Sequence, residues 1–357
     1  MAKRILAVLV MLGILCFSIT ALAMEPDARS YAMGGAYTAV VKDASAVYWN
    51  PAMLPYIRYT SLVLGGGVAS DDVQAISDAM NQFNNEEYES LNIDVNGQAA
   101  GIAALSTRWF GFGLYGNINL DAQAESKVVD QENVDFENLP ENLGEAKGLM
   151  AANVRADAAL AMAKRFNRFS LGLAVKGVTD SRIEQGTYTY VPVPDEINPN
   201  PGKVTNDVQF QRIGTGISSD LAVATSFTDR LRLGVVVQDI ISSIEYEYTA
   251  TADNVSTTKK ESGKLDPVVR AGVAFEPGFG FTLAGDVTSE GDIGLGLEKN
   301  LFWNGLSLRG GYVSQEDLQE YRAGLGLNLL WLHLDLGVGM SPENGVSGAM
   351  LNASLTF

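Results

Sequence analysis

Apolar and polar side chains alternate with a period of two along much of the chain, the spacing that sends successive side chains to opposite faces of a β-strand. In residues 323–330, Ala323, Leu325, Leu327 and Leu329 share one face, and Gly324, Gly326 and Asn328 share the other. Residues 332–338 set Leu332, Leu334, Leu336 and Val338 against His333, Asp335 and Gly337. Residues 351–357 set Leu351, Ala353, Leu355 and Phe357 against Asn352, Ser354 and Thr356. The same dyad recurs at Ile293, Leu295 and Leu297, at Leu171, Leu173 and Val175, and at Phe110, Phe112 and Leu114.

Followed along the chain, the pattern predicts strands near 59–69, 92–106, 108–120, 151–166, 168–190, 207–227, 230–248, 264–275, 279–287, 291–301, 305–313, 319–329, 331–340 and 346–357. Their connections alternate in length. Short ones fall at Ser106-Thr107, Asn167, Thr228-Asp229, Glu276-Pro277-Gly278, Trp303-Asn304 and Leu330. Longer polar ones fall at 70–91, 121–150, 191–206, 249–263, 288–290, 314–318 and 341–345. Fourteen strands, an even number, with short inner turns and longer outer loops, describe an all-β transmembrane antiparallel barrel. A soluble sandwich has no reason to alternate its loops in this way.

One long loop carries a second period. Val73, Ile76, Met80 and Phe83 lie three and four residues apart after Asp71 and Asp72. This predicts a short amphipathic helix in the first outer loop, with acidic residues near its positive end. Its stripe would pack on the barrel rim or form one lip of an outer hydrophobic groove through which solutes go in.

The N-terminus has a different grammar. Lys3 and Arg4 precede an apolar run from Ile5 to Phe17, and Ala21-Leu22-Ala23 fits a small-x-small cleavage site. Thirteen apolar residues are too few for a spanning helix, which needs about 20. Residues 1–23 are therefore read as a signal peptide. Its removal takes the only cysteine, Cys16, and with it disulfides, thiolate chemistry and cysteine-based metal sites. Without Lys3 and Arg4 the 25 basic side chains become 23 against 42 acidic ones, and the formal charge moves from −17 to −19. Such a balance disfavours nucleic acid and anionic lipid head groups as partners, because each phosphate would be repelled.

Between the signal and the first strand, residues 24–57 show no dyad and many small residues. Gly34 and Gly35 allow close backbone approach. Asp43, followed by Ala44 and Ser45, suits a turn or helix cap, and Asn50-Pro51 disfavours helix at Asn50.

Met-Gly-Gly-Ala at 33–36, Asp-Ala-Ser-Ala at 43–46 and Tyr-Trp-Asn-Pro-Ala at 48–52 resemble the N-terminal signature of the FadL/PorV-like outer-membrane superfamily. Within it the chain looks most like the conjugal transfer protein TraF branch, through Asp71 to Met80, Leu231 to Asp239, Pro267 to Ala274 and Leu308 to Tyr312. The resemblance implies that residues 24–57 fold into the lumen as a hatch with Gly34, Gly35, Asp43, Asn50, Pro51 and Ala52 at its core, and that 58–357 form the barrel. Met53 stands where relatives commonly carry Gly. The terminal aromatic after Leu355, Phe357, resembles the signal read by barrel-assembly machinery. A barrel of fourteen strands also leaves a hole that side chains alone do not fill.

The resemblance implies one of two functions. The first is passive transport of hydrophobic small molecules across the outer membrane, with a wall gap expected at a bulge or glycine kink; Gly65-Gly66-Gly67 and Gly111 to Gly113 are candidates. The second is a non-transporting scaffold that binds a protein partner in secretion or conjugation, with an acidic outer rim at 121–150. Outer-membrane lipid surrounds the barrel in both. Catalysis is not expected: His333 has Asp335 on its strand face, but no nucleophile is placed, and no metal-ligand spacing or cofactor fingerprint occurs.

Overall fold

The computed structural model describes residues 24–70, 90–128, 142–192, 204–252, 255–315, 319–342 and 345–357. Among these, fifteen strands form one antiparallel sheet. They are β1 (Ser61–Ser70), β2 (Ser90–Ser106), β3 (Phe110–Val128), β4 (Asn142–Phe166), β5 (Phe169–Pro192), β6 (Val204–Ser226), β7 (Leu231–Ala252), β8 (Val255–Gly263), β9 (Val268–Gly278), β10 (Phe281–Thr288), β11 (Ile293–Leu301), β12 (Leu306–Ser314), β13 (Gln319–Leu329), β14 (Leu332–Ser341) and β15 (Gly345–Thr356). β1 pairs with β15 from Ser61↔Thr356 to Ala69↔Gly348, so the sheet closes on itself. β7 pairs with β9 from Leu231 to Gln238, leaving β8 out of the circuit. The closed wall is therefore the expected fourteen-stranded antiparallel barrel.

The extra strand, β8, pairs with the outer half of β7 from Ile244 to Ala252, in what was expected to be loop 249–263. Ser256, Thr257, Thr258, Lys259, Lys260 and Glu261 give it no apolar side, because both of its faces are exposed. The expected loop 121–150 also contracts: β3 and β4 stay paired from Asp121↔Ala151 to Val128↔Gly144. Their sequence reads as loop because it lacks the apolar alternation of the membrane-level strands.

Strand lengths divide the barrel into two flanks. β2 to β7 have 17 to 25 residues. β9 to β15 have 8 to 12. A tilted strand of about 9–11 residues crosses a bilayer, so the second flank is just tall enough and the first rises well beyond it. Leu160, Met162, Leu171, Val175, Leu295, Leu325, Leu327 and Leu351 are exposed on the outer face, while Ala159, Ala161 and Ala174 between them are buried. A continuous apolar band of this kind is unfavourable in water and required in hydrocarbon. The predicted helix bearing Val73, Ile76, Met80 and Phe83, and residues 1–23, lie outside the described residues.

Candidate functional site

Residues 24–57 lie against the inner face of the wall. They fold into α1 (Ala28–Ala32), α2 (Ala46–Trp49) and a 3₁₀ helix (Pro51–Tyr56). Asp27 caps α1: its Oδ1 accepts from the Ser30 amide at 2.9 Å. Gly34 (φ 62°) and Gly35 (φ 74°) then turn the chain in the left-handed region. A side chain at Gly34 would sit 2.5 Å from the carbonyl oxygen of Tyr312, so the backbone there touches the wall directly.

Asp43 makes a turn rather than a helix cap. Its Oδ1 accepts from the Ser45 amide at 2.9 Å, and its Oδ2 accepts from the Tyr37 hydroxyl at 3.1 Å. Asn50 is extended (φ −166°, ψ 97°), as its proline neighbour requires. Its Nδ2 donates to the Thr38 carbonyl at 3.0 Å, and its Oδ1 accepts from the Ala52 amide at 3.0 Å. The Ala52 carbonyl in turn accepts from Ser170 of β5 at 2.5 Å. Thus Gly34, Asn50 and Ala52 each contact the wall or fix a neighbour that does.

An aromatic row runs from this segment to the tall flank. Tyr37 and Trp49 lie 5.7 Å apart, Trp49 and Tyr48 5.2 Å, and Tyr48 and Tyr115 of β3 4.9 Å, all edge to face. The Arg270 guanidinium of β9 stacks 4.7 Å over Trp49.

Buried ion pairs fasten the segment on the short flank. Arg29 donates through Nε and NH2 to Glu298 of β11, both at 2.9 Å. Arg309 of β12 bridges Glu298 at 2.8 Å and Asp335 of β14 at 2.7 Å. Arg322 of β13 meets Glu25 at 2.6 Å and stacks 4.0 Å over Tyr31. The Asp286 carboxylate of β10 accepts from the amides of Tyr37 and Thr38. Arg232 of β7 donates to the Ala39 carbonyl at 3.1 Å.

The wall is interrupted once beside this segment. β7 leaves β9 at Gln238 and meets β8 at Ile244, so 239–243 have no strand on that side. On its other side the β6 register jumps between Ser219 and Leu221, and Asp239 adopts a left-handed φ of 56°. This is a β-bulge. Ser242 closes the open side with its own hydroxyl, which accepts from the Leu265 amide at 2.8 Å. Outside the gap Ile240, Ile241 and Val269 are exposed. Inside, Gln238 Nε2 donates to the Tyr48 carbonyl at 3.3 Å.

Charged side chains gather behind the bulge. Lys176 Nζ lies 2.7 Å from both Asp220 and Asp239. Arg155 reaches Asp157 at 3.1 Å and Asp239 at 2.8 Å. Asp220 also accepts from the Asp239 amide that the bulge frees from the ladder. The inward positions of β5 continue upward with Asp180, Arg182 and Glu184, a polar lining.

The glycines expected to open the wall do not. Gly65, Gly66 and Gly67 are in continuous register with β15 and β2, and Gly111 to Gly113 with β2 and β4. Gly111 and Gly113 make room for Val47 instead. Nor does Asp335 orient His333: Asp335 holds Arg309, and His333 Nδ1 pairs with Asn328 Oδ1 at 2.7 Å. The lumen charges were missed in the sequence, although Glu298, Arg309, Arg322, Lys176 and Asp220 all sit on the non-apolar side of a dyad. At the chain's end, the Phe357 amide donates to Thr60 at 3.0 Å, and Leu355 pairs with Leu62 and Leu332 at the seam.

Residues 41–287 match the family described as F plasmid transfer operon, TraF, protein. The chain belongs to this family. No curated protein matches in a sequence search. Among solved structures, the Ralstonia pickettii toluene transporter TbuX superposes with a TM-score of 0.56 at 14% identity, over 94% of this chain and 100% of that one. The P. putida toluene transporter TodX gives 0.55 at 12% identity, over 94% and 99%. A Pseudomonas aeruginosa FadL homologue gives 0.53 at 11%, over 95% and 100%. At these identities the likeness is one of fold, a closed β-barrel shared with these transporters.

Proposed function

We propose that this TraF-family protein sits in the outer membrane and admits small hydrophobic molecules by passive diffusion, releasing them through the break between β7 and β9. Residues 1–23 are removed as a signal peptide, residues 24–57 are the hatch, and 58–357 form the barrel. The Leu355–Phe357 end serves as the signal to assembly machinery. The observation that carries the reading is the bulge at Asp239. Beside it 239–243 have no strand on the β9 side, next to Gln238, which holds the Tyr48 carbonyl, and Ile240 and Ile241 are exposed on the outer face. The toluene transporters of the same fold support this choice of solute class.

A second reading is favoured by the hatch itself. Its ion pairs and the polar lining above it place charged side chains, not apolar ones, along the described part of the lumen. A sealed barrel with one tall flank would suit a scaffold that holds a secretion or conjugation partner.

One experiment separates them. The mature chain lacks cysteine, so Ser242→Cys with Leu265→Cys introduces a single pair across the gap. Uptake of a radiolabelled monoaromatic hydrocarbon is then measured in cells with an intact lipopolysaccharide leaflet. Transport through the gap predicts uptake that falls on oxidation and returns on reduction. Uptake equal to that of cells lacking the protein, in both states, rejects transport in favour of the scaffold.

A further inference from the structure

The mouth of the barrel at the short turns has an unusual division of side chains. The segment before β1 and the turns β2–β3, β4–β5 and β6–β7 carry Arg58, Arg108, Lys164, Arg165, Arg168 and Arg230, all exposed. Asp229 is the one exposed carboxylate there among the described residues. None of the six cations forms a salt bridge among the described residues, in a chain whose mature charge is −19. Several lie along rings: Arg165 stacks 4.6 Å over Tyr56, Lys164 5.4 Å over Phe166 and Arg108 5.8 Å over Trp109. It is their charged groups that lie over these rings, and Arg165 also donates to the Asn167 carbonyl at 2.9 Å, so each charge is held at the mouth without a carboxylate to neutralise it.

The other half of the same mouth is apolar at its tips. Phe279, Phe302, Trp303 and Leu330 occupy the turns β9–β10, β11–β12 and β13–β14, and Trp303 is 101% exposed. All four have left-handed backbones, with φ of 53°, 49°, 55° and 56°. Asn or Gly adopts that conformation more readily than a bulky residue does. Four large apolar side chains held there, 74% to 101% exposed, fit a medium that is itself partly apolar. The headgroup boundary of a bilayer is such a medium, and Trp concentrates there.

We propose that this mouth is a binding surface for anionic phospholipid headgroups of the inner leaflet of the outer membrane. The basic half pairs with lipid phosphates, and the aromatic tips of the short flank sink among the glycerol and upper acyl groups. Charge complementarity selects this occupant, because the cations are unpaired and an anionic lipid surface attracts clustered Lys and Arg. The inference rests on the membrane placement proposed above but not on transport.

Full-length mature protein in detergent is titrated with phosphatidylglycerol and with phosphatidylcholine, and the lipid retained is read by native mass spectrometry. Heat-modifiable gel migration of each sample reports barrel folding separately. The expected result is retention of phosphatidylglycerol roughly tenfold above phosphatidylcholine, abolished by high salt. The triple variant Arg108→Gln, Arg168→Gln, Arg230→Gln should lose that preference. The variant Lys259→Gln, Lys260→Gln, Lys264→Gln, which removes the same charge at the other end, should keep it. Equal retention of the two lipids by folded wild-type protein, or equal loss in both triple variants, overturns the proposal. If the mouth variant fails to fold, the salt dependence of the wild-type preference decides.

Discussion

The indole N–H of Trp49 donates to Asp27 Oδ2 at 2.9 Å, tying the later part of the 24–57 segment to its beginning. Both groups are buried, and burial together with the nearby Asp43 carboxylate pushes the Asp27 carboxyl up to about 6. An acid whose folded pKa lies above its unfolded 3.8 favours the folded state most when protonated. The packing of residues 24–57 should therefore gain stability as pH falls from about 7 towards 4, by about 3 kcal/mol in total at 1.36 kcal/mol per unit. Acrylamide quenching of Trp49 fluorescence, in a background with Trp109, Trp303 and Trp331 changed to Phe, measures this. Quenching should decline on acidification, and Asp27→Asn should flatten the dependence.

Glu298 holds two guanidinium groups, Arg29 from the N-terminal segment and Arg309 from the wall. Glu298→Gln leaves Arg29 without its ion pair and Arg309 with Asp335 alone. Removing one partner from a buried ionic set costs about 3–5 kcal/mol. The urea midpoint for barrel unfolding should fall accordingly. An unchanged midpoint would mean that water replaces the carboxylate without penalty.

Gly34→Ala places a methyl group against the Tyr312 backbone in a left-handed conformation. We expect a loss of at least about 2 kcal/mol. Gly310 has open space where its side chain would be and serves as the control. Gly310→Ala should unfold within about 0.5 kcal/mol of the parent.

Lys176→Met removes the cation between Asp220 and Asp239 and should destabilise the bulge by about 3–5 kcal/mol. Adding Asp220→Asn should restore part of the loss, because it removes a carboxylate left unpaired. Hydrogen exchange of the amides at 237–243 is the local readout. Equal exchange in both variants would place the bulge's stability elsewhere.

The wall was legible in the sequence because each strand has one face in hydrocarbon and one in a polar interior. Leu325, Leu327 and Leu329 could not all point to lipid unless Gly324, Gly326 and Asn328 pointed inward. Strand β8 was not legible, since Lys259 and Lys260 meet water on a segment with no apolar side. Asn50 could be read as extended because Pro51 restricts it locally. The bulge at Asp239 could not, because it depends on Asp220, nineteen residues earlier, capturing a freed amide. Arg29 and Glu298 are 269 positions apart, and a single sequence holds no signal for such a partnership.

The placement of residues 24–57 has a consequence for the order of assembly. This segment is synthesised before the strands, yet its contacts include Asp286, Glu298 and Arg322 on strands made near the end. The seam between β1 and β15 must therefore zip around an object already inside, or trap it outside for good. A barrel built this way has its own N-terminal segment as a mandrel, and mutations that weaken that segment's contacts should appear as slow or failed closure of the seam.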